Sequence, residues 1–525
     1  MKSVHRSILN ALVNLHAKHA GSHVAAVLHG DGGGRLTYEE LVARSAHYSA
    51  QFREMTDSDD SLAVVQSRLD DLNSLPVVLA SLEEFAGCVP LDPRHPAPGR
   101  FVDHLRDSCG LKGEEAVTLD DTEVVVGAAD LRRRWPVDQH PLVLMFTGGA
   151  SGAIRAVVNA ESRLLESVQV SISLEKRLLG MATQPYAPSE SKSSLVNALD
   201  THANSKLVPL RYLSSSSFAT MAGWTVMQRA LCLRDTVVLA GKFEPGRFLD
   251  AIEQEEVTNL GLSPTAAAEI LRVQRARPRS VGSLLAIGIG GASCDPDLAS
   301  DLEDTFQSVV SIGYGSTELG GPAIMSSFDQ PPEVRHSGRG QPLPGCATRL
   351  KPVDGFEAEG PTIGSKPDGV VGNLSVMSPA MALSYTSGEL DTDADGFWVS
   401  DDLASLDEAG RVSIVGRRPN VVLRGAVRIP CSEIERLLVE VQGIRDCAVV
   451  GYPSGMSPLE DDIYAFVVRE DETARSPTVV ELRKAIRDEL GAHCVPRQFR
   501  DVPTVPRTPD GKIRHGALRS ALEAS

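Results

Sequence analysis

Residues 142–155 read Leu-Val-Leu-Met-Phe-Thr-Gly-Gly-Ala-Ser-Gly-Ala-Ile-Arg, an apolar run that gives way to small residues and ends in a cation. Gly148, Gly149 and Gly152 let backbone N–H groups turn toward an anion, Thr147 and Ser151 add hydroxyl donors, and Arg155 adds charge. Those groups suit a phosphate, although the same segment alone also serves as an ordinary glycine-rich turn. A second apolar run, Val309 to Ile312, leads into Gly313, Tyr314, Gly315, Ser316, Thr317 and Glu318. A tyrosine face can stack on a purine, Thr317 can donate to a phosphate oxygen, and the Glu318 carboxylate is a hard oxygen ligand for Mg2+. The bland alternative is a tight turn with a solvated glutamate.

Two further segments carry chemistry. Trp398-Val-Ser-Asp-Asp-Leu403 places two acids after an aromatic strand, and a carboxylate such as Asp402 can accept both hydroxyls of a ribose. Near the end, Pro509-Asp-Gly511 forms a turn that presents Lys512, whose ammonium can neutralise charge that develops where a carboxylate attacks phosphorus. Alone, the first is also an acidic turn and the second a solvated basic tail.

The elements that must position these residues follow from periodicity. Ile8, Leu9, Leu12, Val13 and Leu15 suit an amphipathic opening helix, and Val24 to Leu28 a strand. Leu75 to Phe85 and Phe248 to Glu255 read as helices; Val124 to Val126, Leu142 to Phe146 and Thr258 to Leu262 read as strands. The alternation predicts an α/β fold with largely parallel sheets. Ser189 to Ser217 shifts to Ser, Asn and Lys with little periodicity and reads as a surface loop or insertion. After Gly416 a β-rich start, helices at Ser432–Glu440 and Val479–Leu490 and a strand at Cys447–Gly451 predict a small α+β domain.

Bulk properties narrow the class. A chain of 525 residues exceeds one hydrophobic core, so a large domain with a smaller companion is expected. The net charge of -17 disfavours a general nucleic-acid or anionic-membrane surface, and an anionic ligand then needs a local device to hold it. The eight cysteines show no C-x-x-C pair, which favours a reduced compartment. Asn10, Asn14, His16 and Lys18 interrupt the N-terminal apolar residues, and no run approaches the roughly 20 apolar residues of a membrane span, so a cytoplasmic location is expected.

Taken in order, these segments resemble the adenylate-forming superfamily of acyl-CoA synthetases, peptide-synthetase adenylation domains and luciferases. The resemblance runs through Leu36-Thr-Tyr-Glu-Glu-Leu41, Ala86-Gly-Cys-Val-Pro-Leu-Asp-Pro93, the 146–155 loop, Gly288-Ile-Gly-Gly-Ala292 and Gly313 to Glu318. It continues through Ser400-Asp-Asp-Leu403, Gly416-Arg-Arg418, Arg428-Ile429 with Glu433-Ile-Glu435, and Gly511-Lys512. It implies a large multi-sheet N-terminal domain over residues 1–416 and a small α+β lid over residues 417–525 that rotates between half-reactions. It also implies ATP and Mg2+ as cofactors. Tyr314 and Gly291-Ala292 would flank adenine within a nucleotide loop that includes Gly313, Gly315 and Ser316, Thr317 would touch the α-phosphate, and Glu318 would bind Mg2+. Asp402, assisted by Arg417, would hold the ribose. Lys512 would bridge the substrate carboxylate and α-phosphate, loop 147–155 would hold pyrophosphate, and Arg418 and Pro419 would form the hinge.

Several positions depart from the family pattern. Gly148 and Ala150 replace two hydroxyl-bearing residues, and Arg155 replaces a lysine, so pyrophosphate is gripped differently. Pro419 fixes φ at the hinge and restricts Arg418, and Ala426 stands where a glycine usually borders the thiol tunnel. The position that pairs an amino acid's α-amine falls near Met221, which carries no charge; Phe218, Met221 and Trp224 can instead line an apolar acid pocket or form a core helix. The expected activity is therefore conversion of a non-amino-acid carboxylic acid to an acyl-adenylate, then transfer to a thiol of CoA or of a separate carrier protein. The alternatives are transfer to an amine, as in amide-forming members of antibiotic pathways, and a catalytically silent nucleotide-binding homologue.

Overall fold

The computed structural model describes residues 7–30, 33–55, 60–66, 71–92, 98–119, 122–148, 154–178, 188–189, 191–206, 208–352, 371–417, 420–424, 427–453, 461–470, 476–507 and 513–523. By internal contacts the chain divides into two compact units. The first comprises residues 1–147, 154–347 and 377–390; the second comprises residues 148–153, 348–376 and 391–525. The segment 391–416, expected in the larger domain, thus groups by contacts with the smaller unit.

The first unit is built on a nine-stranded and a seven-stranded sheet. In the larger sheet the strands Val309–Ser316, Ala286–Gly290, Asn259–Leu262, Arg211–Ser214, Thr236–Leu239 and Val24–Leu28 lie side by side in parallel. Alternate side chains leave opposite faces of a strand, and here both faces are buried. Val237 and Leu239 join one core cluster while Val238 and Ala240 join another. In the smaller sheet Ala63 and Val65 belong to that first cluster and Leu62 and Val64 to a third, which the helix Pro98–Cys109 covers with Phe101 and Leu105. The helices Ile8–Ala20, Tyr38–Met55, Ser74–Glu84 and Met221–Cys232 supply the rest of the shared core. The chain is α/β, as the helix–strand rhythm predicts.

Several sequence-derived elements recur almost residue for residue. Val24–Leu28 is a strand, Pro245–Gln254 a helix with Glu244 as its N-cap and proline in its first turn, and Val479–Leu490 a helix with a capping box from Thr478 and Glu481. The expectation of a surface loop over Ser189 to Ser217 is corrected. Ser191 and Ser194 form a capping box for the helix Lys192–Ser205, and Leu195, Leu199 and Ala203, spaced four apart, are buried along one face. The polar residues between them occupy the other faces and hide the period. The strand Arg211–Ser214 then sits in the middle of the large sheet.

In the second unit, four strands including Trp398–Leu406 and Val412–Arg417 form one sheet. The strands Ile444–Pro453, Asp461–Arg469 and Gln498–Asp501 form another. Cys447, Val449, Ala465 and Val467 pack under the helices Cys431–Glu440 and Val479–Leu490, while Ala448, Val450, Phe466 and Val468 meet Leu518 of the helix His515–Glu523 on the other face. Among the described residues no helix is long and apolar enough to cross a membrane.

Candidate active site

The strand Val309–Ser316 ends where the chemistry-bearing residues begin. It runs parallel to Ala286–Gly290 with Gly313 level with Gly290, so the turn through Gly291 and Ala292 lies beside Tyr314 at the carboxyl edge of the sheet. That edge is where open parallel sheets bind ligands. Gly291 takes φ +87°, and both it and Ala292 are exposed. Gly315 has no room for a side chain: a Cβ there would lie 2.2 Å from the Gly321 carbonyl oxygen in the antiparallel partner Gly321–Met325. Tyr314, Ser316 and Thr317 are half-buried, and the Ser316 hydroxyl accepts from Leu319 N at 3.2 Å to tighten the turn.

Glu318 closes this segment. Its side chain is 7% exposed, its carbonyl oxygen accepts from Ala382 N at 2.9 Å, and its Oε1 accepts from the Tyr385 hydroxyl at 3.1 Å. The guanidinium of Arg155 lies 5.2 Å over the Tyr385 ring. The three residues are thus contiguous: a cation, an aromatic ring and a carboxylate. Sequence reasoning named Arg155 and Glu318 but missed Tyr385, because the segment that holds it carries no spacing signal.

Thr147 is half-buried near the end of the strand Leu142–Gly148, and Arg155 is exposed on the strand Ile154–Ala160. Gly149, Ser151, Gly152, Arg418, Pro419, Ala426 and Lys512 lie outside the described residues. In the second unit Asp402 and Arg417 are register partners on antiparallel strands, and Arg417 Nε donates to Asp402 Oδ1 at 3.3 Å. Asp402 is 13% exposed and Arg417 47%.

The suggested acid-pocket residues Phe218, Met221 and Trp224 all belong to the main core cluster, and of the three Phe218 also borders a cavity. Phe218 lines a narrow cavity of roughly 10 Å³, room for about one water, with Tyr212, Ser214, Ser216, Val226 and Val238. Trp224 is fully buried, its Nε1 donating to Gln228 Oε1 at 2.9 Å, and with Met221 it belongs to the main core cluster. Gly223, on the same helix, admits the Ser216–Ser217 backbone so closely that a Cβ would meet the Ser217 carbonyl oxygen at 2.2 Å. Ser214, Gly261, Gly288 and Ser311 pair in one row across the sheet. The cavity strand is therefore three strand spacings, about 14 Å, from the strand that ends in Tyr314.

Behind the cavity sits an ionic cluster. Arg229 stacks on Tyr212, donates to the Tyr212 hydroxyl and pairs with Glu175, while Lys206 Nζ lies 2.6 Å from Asp235 Oδ2 and 3.3 Å from Glu175 Oε1. Burial opposes ionisation of Glu175, but the hydrogen bond to His202 and the charges of Arg229 and Lys206 outweigh it and hold this carboxyl well below the usual range. Burial dominates at Asp235 and raises it. Two carboxylates are thus held by two cations.

The AMP-binding enzyme family matches residues 103–386, and the C-terminal domain of AMP-binding enzymes matches residues 433–512. The chain is 24% identical to 4-coumarate–CoA ligase-like 9 of Arabidopsis thaliana over 94% of this chain and 87% of that protein. It is 28% identical to 2-hydroxy-7-methoxy-5-methyl-1-naphthoate–CoA ligase of Streptomyces carzinostaticus over 77% of this chain and 66% of that one. The amide bond synthetase McbA from Marinactinospora thermotolerans has a similar fold, with a TM-score of 0.68 at 21% identity over 98% of this chain and 99% of that chain. With more than half of its length matched, and its strand-end loops in the order of the motifs, the chain belongs to the AMP-binding enzyme family, a member of the adenylate-forming superfamily.

Proposed function

We propose that this protein joins ATP to a non-amino-acid carboxylic acid, of aryl type, to give an acyl-adenylate and pyrophosphate, and then passes the acyl group to a thiol of CoA or a carrier protein. The observation that carries the proposal is the strand-end cluster of Tyr314, Thr317 and buried Glu318 beside Gly291 and Ala292. In this reading a carboxylate oxygen attacks the α-phosphorus, the bond to the bridging oxygen breaks, and pyrophosphate leaves with the electron pair. Tyr314 stacks on adenine, Thr317 donates to the α-phosphate, Asp402 accepts the ribose hydroxyls, and Lys512 neutralises the charge between carboxylate and phosphorus. Thr147 and Arg155 hold pyrophosphate, and residues 417–525 act as the lid, turning about Arg418 and Pro419.

Glu318 fits Mg2+, an ion that keeps several waters and takes one or two protein carboxylates rather than a protein cage. When bound, the ion would neutralise phosphate charge. The uncharged Met221, at the position where an amino acid's α-amine would need a carboxylate, favours a non-amino-acid substrate, and the aryl acid named for the Streptomyces relative favours an aryl one. The Arabidopsis and Streptomyces relatives, both named as CoA ligases, support a thiol acceptor. An amine acceptor is the alternative, favoured by Pro419 and Ala426 and by the likeness in fold to an amide bond synthetase.

Pyrophosphate exchange into ATP, driven by a panel of aryl and aliphatic acids, tests the adenylation step. Exchange with aryl acids is expected, and ATP binding without exchange for any acid would leave the silent-homologue reading in its place. Product masses after incubation with CoA, a carrier protein or amines then assign the acceptor.

A further inference from the structure

Tyr385 touches both charged groups of the strand-end cluster, and the fold holds it firmly. Its strand, Ser384–Tyr385, pairs antiparallel with Ile154–Ala160 so that Tyr385 is opposite Val157, two residues from Arg155. Residues two apart share a face, which brings the Arg155 guanidinium diagonally over the ring. On either side the neighbours are tied down: Trp135 Nε1 donates to Ser384 Oγ at 2.9 Å, Arg134 Nη2 donates to the Thr386 carbonyl oxygen at 2.6 Å, and Thr386 N donates to Ala156 O at 2.8 Å. His104 Nε2 lies 3.1 Å from Thr386 Oγ1. With Tyr385 only 6% exposed, the hydroxyl has a fixed direction, and it is aimed at Glu318 Oε1.

We propose that Tyr385 is a positioning residue with two separable actions, in which its hydroxyl orients the Glu318 carboxylate so that Oε2 faces a divalent cation and its ring holds the Arg155 guanidinium toward the departing pyrophosphate. This rests on the adenylating role proposed for the same site. The hydroxyl occupies one lone pair of Oε1 and stops the carboxylate from rotating, so the metal meets a preorganised ligand. The ring supplies a face for a planar cation, a contact that a guanidinium makes better than an ammonium. Arg155 in place of the family's lysine and the aromatic ring beneath it therefore form a matched pair.

The two actions come apart in two variants of the full-length chain. Tyr385→Phe keeps the ring and removes the hydroxyl; Tyr385→Leu removes both. Electron paramagnetic resonance titration of Mn2+ with ATP, without acid so that no reaction runs, reads the metal directly, and Glu318→Gln is measured beside them. Tyr385→Phe is expected to weaken Mn2+ binding in the ATP complex about tenfold, with metal-free ATP affinity and affinity for inorganic pyrophosphate unchanged. Tyr385→Leu is expected to weaken pyrophosphate binding about threefold as well. Wild-type Mn2+ affinity in Tyr385→Phe, with loss in Glu318→Gln, would overturn the positioning role and leave the adenylating role standing. Unchanged Mn2+ affinity in Glu318→Gln would remove the metal role of Glu318 and the inference with it. A fall in metal-free ATP affinity and melting temperature in Tyr385→Phe would mean a purely structural tyrosine, which also overturns it.

Discussion

Arg417 Nε and Asp402 Oδ1 lie 3.3 Å apart across two antiparallel strands on which the two residues are register partners. Because Arg417 is nearly half exposed, solvent screens the pair and its worth to stability is below about 1 kcal/mol. What the pair does instead is hold the carboxylate in one orientation. Asp402→Ala is therefore expected to raise the ATP dissociation constant at least about tenfold by calorimetry while the melting temperature stays within a degree or two. Arg417→Met should produce a smaller loss of the same kind. ATP affinity unaltered in Asp402→Ala would end the ribose assignment.

A pH effect on stability is expected from Glu161, whose carboxyl burial pushes up to about 7 against hydrogen bonds from the Ser7 hydroxyl and the Ile8 and Leu9 amides. The folded value lies above the usual 4.5, so the native state binds the proton more tightly than the unfolded chain. The stabilisation is complete below about pH 4.5 and is lost as pH rises through about 7. Relative to Glu161→Gln, the wild-type protein should lose on the order of 3 kcal/mol across that window. Denaturant unfolding of both proteins at several pH values measures this, and a constant difference between them would contradict it.

Arg229 is the cation shared by Tyr212 and Glu175 behind the cavity. Arg229→Met leaves Glu175 with less compensation in a buried setting and should cost about 3–5 kcal/mol. The double variant Arg229→Met with Glu175→Gln should recover part of that loss, since the stranded charge is gone. Equal instability in single and double variants would argue that shape rather than charge matters there.

Acid selection should respond to Phe218, which is 2% exposed and lines the cavity with Val226 and Val238. Phe218→Leu removes volume from the wall, so the best acid in the exchange assay should shift to a bulkier one, with a fall of about tenfold in kcat/KM for the original acid. Trp224→Phe, by contrast, removes the indole that bonds Gln228 and should reduce stability while leaving the ranking of acids alone. The reverse pattern would place acid recognition elsewhere.

Legibility in the sequence followed the range of the interaction. Thr317 and Glu318 were readable because they follow the strand Val309–Ser316 directly, so local order alone puts a hydroxyl and a carboxylate at its end, whereas Asp402, expected after a strand, lies within Trp398–Leu406. Tyr385 was not, because what aims it is pairing with Val157 more than 200 residues away, together with anchors at Trp135, Arg134 and His104. The helix Lys192–Ser205 was hidden for a different reason: three small or aliphatic residues form its buried stripe, and serine, asparagine and lysine dominate its composition. The strand Arg211–Ser214 has four residues, too few to show a period, and its place in the sheet depends on neighbours distant in the chain.

Where the strand passes Gly315, a methyl group would overlap the facing peptide of Gly321, so that crossing tolerates no ornament. The cavity wall around Phe218 and Val226 consists of side chains that can be exchanged one at a time. Descent with modification, or a laboratory library, can therefore vary the acid far more freely than the nucleotide. A collection of variants drawn from this scaffold should diverge in what it activates while still spending the same ATP.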